Sequence, residues 1–201
     1  MIAFKHLKKL SGVAVLIAMG VSCGDASRSG RSPNYLVVES LTDSLGNNFL
    51  QSDVVKMETS PTPCSTDNPC PTVFSDTGLV SLESFQKDVT ATGPSTNSAI
   101  TVSRYHVNYR RADGRNTPGV DVPYGFDGAL TGTTDSSGAL KMNFELVRHV
   151  AKMESPLAEL ATNAAVITTI ADVTFYGKDI IGNDVNVTGS IQVDFGNFGD
   201  K

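Results

Sequence analysis

Residues 167–195 read ITTIADVTFYGKDIIGNDVNVTGSIQVDF, and they carry the clearest strand pattern in the chain. Its second half, 184–195, alternates apolar and polar residues without a break. Its first half is rich in β-forming residues and places three apolar ones on the same side: Ala171, Val173 and Phe175. A period of two predicts strands that bury one face and expose the other. The segment 177–184 between them predicts a hairpin turn.

Two earlier segments alternate in the same way. In 101–111 the apolar positions are Tyr105, Val107 and Tyr109, and in 139–150 they are Met142, Phe144 and Leu146. We expect weaker strands at 35–41, 49–57 and 80–89, with the first two paired as a hairpin through a turn at 43–48. Residues 155–160 predict a short helix in which Ser155 caps the first turn and Pro156 occupies it.

These spacings predict an all-β fold, an antiparallel sandwich of seven to eight strands with one short helix, covering 34–201 as one domain. The string YHVNYR at 105–110, followed by ADG at 112–114, resembles the third strand and following turn of fibronectin type III and immunoglobulin-like domains. The Asp-x-x-Gly-Asn string at 179–183 resembles the last hairpin of bacterial immunoglobulin-like domains. The chain departs from that family because it has no Trp and no Tyr clearly placed for a tyrosine corner.

The N-terminus carries the features of an export signal. Three lysines precede an uncharged apolar core at 10–19, which is too short to span a bilayer as a helix. The following Gly20-Val21-Ser22-Cys23 resembles the lipobox of bacterial lipoproteins, although that family usually has a large aliphatic residue where Gly20 stands. The alternative is an ordinary secretory signal cleaved nearby, with Cys23 incidental.

The lipobox resemblance implies a signal peptide at 1–22, an acylated Cys23 with a flexible tether at 23–33, and attachment to a membrane through lipid. Gly24, not Asp, follows the cysteine, which in this family favours the outer membrane over the inner one. We therefore expect a lipid-anchored protein of the cell envelope.

The charge balance restricts the kinds of partner that we expect, and the cysteine content indicates one further structural feature. The chain has 16 basic and 21 acidic residues, and three of the basic ones belong to the signal, so nucleic acid is not expected as a partner. In an oxidising compartment Cys64 and Cys70 predict a disulfide that closes a small proline-rich loop. The alternative is half of a metal site, although His106 and His149 are distant in sequence.

No catalytic motif has its required context, so we expect neither an enzyme nor a cofactor. Ser84 and Lys87 match Ser-x-x-Lys, but they fall in a strand-like run, whereas a catalytic serine of that type opens a helix. Asp194-Phe195-Gly196 follows from strand alternation and lacks the other kinase motifs.

Three cationic side chains, Arg104, His106 and Arg110, share the polar face of the strand at 101–111. With Arg111 and Arg115 they predict a positive patch for an acidic partner or an anionic sugar. The alternative is that each pairs with an Asp or Glu on a neighbouring strand.

Two further kinds of site remain open in the sequence. Tyr124 and Phe126, if exposed, would form an aromatic platform for a carbohydrate-binding module. Asp179, Asn183 and Asp184 invite a calcium site, although ordinary turn chemistry explains the same residues. The leading hypothesis is a membrane-anchored, non-catalytic sandwich that contacts an envelope protein or glycan, and the carbohydrate-binding module is the alternative.

Overall fold

The computed structural model describes residues 30–88, 98–134 and 139–199. The predicted signal peptide, Cys23 and the tether up to residue 29 lie outside these ranges.

The described chain forms ten strands and two short helical segments. The strands are β1 Asn34–Asp43, β2 Phe49–Asp53, β3 Lys56–Glu58, β4 Cys70–Thr72, β5 Asp76–Gln86, β6 Ile100–Arg110, β7 Phe126–Thr134, β8 Leu140–Val147, β9 Ile167–Asp179 and β10 Asp184–Gly196. The helical segments are α1 His149–Lys152 and a 3-10 turn at Ala158–Thr162.

Eight of these strands build two sheets that enclose one apolar core, so the protein is an all-β sandwich. The first sheet has the order β1-β5-β8 and the second the order β2-β10-β9-β6-β7. The short β3 and β4 pair separately beside the cysteine loop. One pairing departs from the antiparallel arrangement, because β2 runs parallel to β10.

The predicted hairpin between the first two strands does not form. β1 pairs with β5, with Tyr35 opposite Phe85, whereas β2 pairs with β10. The chain therefore crosses from one sheet to the other at the turn between Asp43 and Asn47. Local alternation could not reveal this, since it describes which face a residue occupies and not which strand lies beside it.

The core follows the predicted alternation on β6, β8, β9 and β10. The predicted inward residues of β6, β8 and β9 are all buried: Tyr105, Val107, Tyr109, Met142, Phe144, Leu146, Ala171, Val173 and Phe175. Aromatic rings join the two sheets, with Phe144 packed edge to face against Tyr105 at 5.1 Å and against Phe175 at 5.5 Å between ring centroids. Such pairs add to the apolar burial that holds the sheets together.

Two strands are not predicted by the sequence pattern, the short β4 beside the cysteine loop and the longer β7. β7 begins at Phe126, although the glycine and proline residues of 117–128 are typical of turns and loops. Its glycines serve packing: the ring of Tyr105 covers Gly128, and the Met142 sulfur lies 2.6 Å from where a Cβ on Gly132 would stand. Glycine inside a strand often marks such a close approach.

The predicted helix at 155–160 is also displaced. α1 ends at Lys152, the Ser155–Pro156 peptide bond is cis, and the 3-10 turn starts only at Ala158. Ser155 is thus not a cap and Pro156 is not in a first helical turn. The segment instead packs against the core, where the side chains of Leu157 and Leu160 are buried.

Candidate functional site

The outer face of the five-stranded sheet carries the cationic residues predicted from the sequence. Arg104, His106 and Arg110 all lie on β6, which sits between β7 and β9. Arg104 and Arg110 are exposed and His106 is half-buried. The sheet therefore brings the three predicted residues together on one surface.

Arg104 and His106 share one carboxylate across the strand pair. His106 lies directly opposite Asp127 of β7, and its Nδ1 is 3.2 Å from an Asp127 oxygen. An Arg104 guanidinium nitrogen lies 3.5 Å from the same carboxylate oxygen. On the other side, the Arg104 guanidinium stacks on the ring of Tyr176 at 3.8 Å from its centroid. A cation over an aromatic face is attractive and fixes the position of both groups.

Arg110 pairs with Asp172 of β9. Its Nε donates to Asp172 Oδ2 at 2.6 Å, and the Ser190 hydroxyl donates to Oδ1 at 2.6 Å. Partial burial raises the pKa of the Asp172 carboxyl, but the hydrogen bonds from Arg110 and Ser190 and the Arg110 charge outweigh it. The pKa is therefore lowered, and the carboxylate stays charged at neutral pH.

Arg111 and Arg115 lie at the turn beyond β6 and hold Asp113 between them. Their guanidinium groups approach the Asp113 carboxylate at 2.7 Å and 2.9 Å. These hydrogen bonds keep the pKa of Asp113 well below its usual range. The cations of β6 thus pair with Asp residues of the neighbouring strands, as the second interpretation of the sequence expects. The surface is therefore a polar face with balanced charges and not a concentrated positive patch.

Hydroxyl and amide side chains fill the rest of this face. Thr101 bonds Thr133 at 2.9 Å across β6 and β7, and Thr174 bonds Thr188 at 2.8 Å across β9 and β10. On β10, Gln192 donates to Asp194 at 2.9 Å. We call this outer face of β10, β9, β6 and β7 the polar sheet face. Its side chains are ordered by their mutual bonds yet remain open to solvent.

Part of this network of contacts can be predicted from the sequence. Asp172 and Tyr176 stand at polar positions of the alternating β9 segment, so their place beside β6 follows once the two strands are paired. Asp127 could not be found, because β7 was not recognised as a strand. The polar sheet face thus depends on pairing that local patterns do not encode.

The predicted aromatic platform is wrong. Tyr124 is 53% exposed, but Phe126 is only 6% exposed. The Phe126 ring packs edge-on against Tyr105, and the Arg148 guanidinium lies 4.4 Å above it. Because Phe126 begins β7 with its side chain inward, the two rings cannot form one flat surface.

The acidic turn considered for calcium has internal partners for its carboxylate. Asp179 accepts hydrogen bonds from the backbone N–H groups of Ile181 and Asn183 and from the Asn183 amide. Asp184 pairs with Lys178 at 2.6 Å. Within 30–88, 98–134 and 139–199 no group of three or more His, Cys, Asp or Glu could hold a metal ion. The contacts here are those of a turn.

Cys64 and Cys70 form the predicted disulfide, with an S–S distance of 2.05 Å and a Cα–Cα distance of 5.3 Å. It closes the loop between β3 and β4, and it contradicts the alternative of a metal half-site because both sulfurs are used. The loop stands apart from the polar sheet face.

The Ser-x-x-Lys residues are not arranged for catalysis. Ser84 lies in β5 and its hydroxyl donates to the Ser98 carbonyl, while the Lys87 ammonium lies 3.3 Å from the Gly30 carbonyl. Phe195 of the Asp-Phe-Gly string is fully buried in the core. Both motifs are consequences of strand position.

No protein-family model matches the chain, and no curated protein sequence matches it significantly. Among the described residues, no helix has the length and apolar character needed to cross a membrane.

Proposed function

We propose that this chain is a lipid-anchored envelope protein whose sandwich binds a protein partner through the polar sheet face, without catalysis. The observation that carries the proposal is the ordered, solvent-open centre of that face, where Arg104 stacks on Tyr176 and pairs with Asp127. Arg and Tyr are enriched in the energetically important parts of protein interfaces. Residues already held by neighbours also lose little side-chain freedom on binding.

The strand arrangement supports the immunoglobulin-like resemblance. The chain moves from one sheet to the other between β1 and β2, and the hairpin β9–β10 lies next to β6 and then β7. Variable-type immunoglobulin sandwiches have the same kind of order, in which the last hairpin is followed by the third strand and an additional one. Such sandwiches serve many functions, so the specific surface and not the fold carries the proposal.

The contacts favour a protein partner over a glycan. A carbohydrate platform needs open aromatic rings, but Phe126 is buried and one face of Tyr176 is occupied by Arg104. The polar sheet face instead offers paired charges and hydroxyls of both donor and acceptor character. An arrangement of this kind favours a polar protein surface of matching charge pattern.

Lipid anchoring rests on the lipobox-like Cys23. The substitution Cys23→Ala should move the protein from the membrane fraction to the soluble fraction, because it removes the acyl chains that supply stable attachment. If the C23A variant stays in the membrane fraction, the anchor proposal is wrong.

The binding proposal is tested by charge reversal. We expect a double variant with Arg104→Glu and Arg110→Glu to lose envelope proteins that cross-link to the wild-type chain, because each new carboxylate faces an Asp and reverses the local pattern. A matched control carries Lys56→Glu and Lys141→Glu, the same change in total charge on other surfaces. Far-ultraviolet circular dichroism checks that both variants keep the β-sheet content of the wild type.

Recovery of the same cross-linked proteins with all three chains would contradict the proposal. Loss in both variants would contradict it as well, because net charge and not the polar sheet face would then govern binding.

A further inference from the structure

The chain enters the sandwich at the end that carries the β9–β10 turn. The hydroxyl of Ser32 hydrogen-bonds the Asp179 carboxylate of that turn. Residues from the entering segment and from the start of β10, including Tyr35 and Asp184, line one polar cavity together with Lys87. Residue 30 and the turn at 179–183 are therefore neighbours.

Apolar side chains are exposed at this same end. Ile180 and Ile181 stand side by side at the tip of the turn and are 56% and 73% exposed. Tyr35 and Phe85, 45% and 41% exposed, stack on each other at 5.9 Å between centroids. The bonds of Asp179 hold the turn closed, so the two isoleucines cannot fold back into the core without breaking them.

Covalent geometry limits how far this end can lie from the predicted anchor. The seven links from Cys23 to Gly30 span at most about 25 Å when fully extended. The turn at 43–47 lies at the far end of β1, roughly 30 Å further along a ten-residue strand. If Cys23 is in the bilayer surface, the 179–183 turn is the end within reach of it.

Charge neither drives nor opposes contact at this end. Arg31, Lys87 and Lys178 are balanced by Asp88, Asp179 and Asp184. Partition into a membrane would therefore depend on the apolar side chains and not on anionic lipid.

We propose that Ile180 and Ile181 insert into the membrane interface beside the lipid anchor, with the Tyr35–Phe85 pair at the level of the headgroups. Tyrosine has an aromatic ring with a polar tip and favours that level, and Phe85 is held there by its stacking on Tyr35. Aliphatic side chains favour the acyl boundary below it. The lipid bilayer is the partner of this surface. The inference rests on the proposed acylation of Cys23, and it gives the sandwich a fixed orientation that leaves the polar sheet face free.

The absence of tryptophan from the chain makes a specific probe available. The full lipidated chain carrying Ile181→Trp is reconstituted into phosphatidylcholine vesicles, with and without brominated lipid that quenches nearby tryptophan. Leu45→Trp is the matched control, because Leu45 is 86% exposed and occupies the corresponding position of the other Asp-x-x-Gly-Asn turn. We expect a blue-shifted, quenched emission from the I181W variant and an unshifted, unquenched one from the L45W variant.

Vesicle flotation separates the two proposals. If the chain floats and the probe at position 181 is neither shifted nor quenched, or both probes are quenched alike, the inserted tip is wrong while the anchor stands. If the chain does not float, the anchor fails and the inference fails with it. If Ile181→Trp lowers the melting temperature, the emission shift and quenching are measured on Ile180→Trp instead, and the same outcomes decide.

Discussion

Asp179 binds both the backbone and the side chain of Asn183. One carboxylate oxygen accepts from the Asn183 N–H and the other from its amide, each at 2.8 Å. Asp43 binds Asn47 in the same two ways at the same distances. In each turn the glycine before the asparagine has a positive φ, of 86° and 90°. The string Asp-x-x-Gly-Asn thus specifies one turn at two places, a hairpin and a crossing between sheets.

The charge on Asp179 should make stability depend on pH. Burial raises the pKa of its carboxyl, but hydrogen bonds from the Asn183 amide and from backbone N–H groups outweigh it, so the pKa in the folded protein is lowered. The unfolded value is about 3.9. The stabilisation is therefore fully present above that pH and is lost as pH falls through the folded-state pKa.

Asp179→Asn, which removes the charge with little change in shape, should cost about 2 kcal/mol at pH 7, the scale of hydrogen bonds to a charged group. The difference in unfolding free energy between this variant and the wild type should become smaller below pH ~4. Urea unfolding at several pH values measures the loss of stability at pH 7 and its dependence on pH. Asp184→Asn, at the exposed neighbour paired with Lys178, is the control expected to change little. A gap that stays constant with pH would contradict the role of the carboxylate charge.

Gly182 should be required for its backbone conformation and not for space. Its φ is +86°, and a Cβ there would meet nothing within 4 Å. Gly182→Ala should destabilise the fold by about 1 kcal/mol, the cost of the left-handed region for an L residue. Gly199 also has open space but no positive φ, so Gly199→Ala should be neutral in thermal unfolding. Equal effects at the two positions would refute this explanation.

Alternation along the chain predicts the faces of strands and not their partners. Tyr105, Phe144 and Phe175 were assigned to the core correctly, because a period of two depends only on local sequence. The pairing of β2 with β10 joins Phe49 to Gln192 across more than half the chain, and no local pattern records it. The overall all-β class was therefore predictable, while the sheet crossing was not.

The candidate site shows the same division. Arg104, His106 and Arg110 were predictable as one polar face, but their acidic partners depended on β7 and on the β6–β9 register. The burial of Phe126 is not predictable from its neighbours, because glycines are typical of loops, whereas those of β7 accommodate the Tyr105 ring and the Met142 sulfur. A glycine-rich segment is thus ambiguous until its packing neighbours are known.

The disulfide should stabilise its own loop more than the sandwich. Cys64 and Cys70 are six residues apart, with Cys64 in the loop after β3 and Cys70 at the start of β4, outside the two main sheets. Replacing both with Ser should cost at most about 2 kcal/mol, since a short closed loop restricts the unfolded chain only slightly. Far-ultraviolet circular dichroism should remain that of a β protein. Global unfolding of the double variant at room temperature would show that the bridge supports the core.

Lys152 forms the ion pair from which we expect the largest single effect on stability. Its ammonium lies 2.8 Å from an Asp76 oxygen and donates to the Asp53 carbonyl at 2.7 Å, and only 1% of its side chain is exposed. The same Asp76 oxygen accepts from the Ser52 hydroxyl at 2.6 Å. These contacts link α1 to β2 and β5, so both sheets depend on them.

Lys152→Met keeps the apolar length of the side chain but leaves Asp76 without its counterion, and it should cost about 3 kcal/mol. Asp76→Asn should also destabilise, because it leaves the buried ammonium without a charged partner. The double variant should lose less than the sum of the two, since the second change removes the charge that the first left uncompensated. Chemical unfolding of the four proteins closes this cycle, with Lys141→Met on the exposed face of β8 as the control. Strict additivity would mean that Lys152 and Asp76 are not coupled, and it would contradict this role of the ion pair.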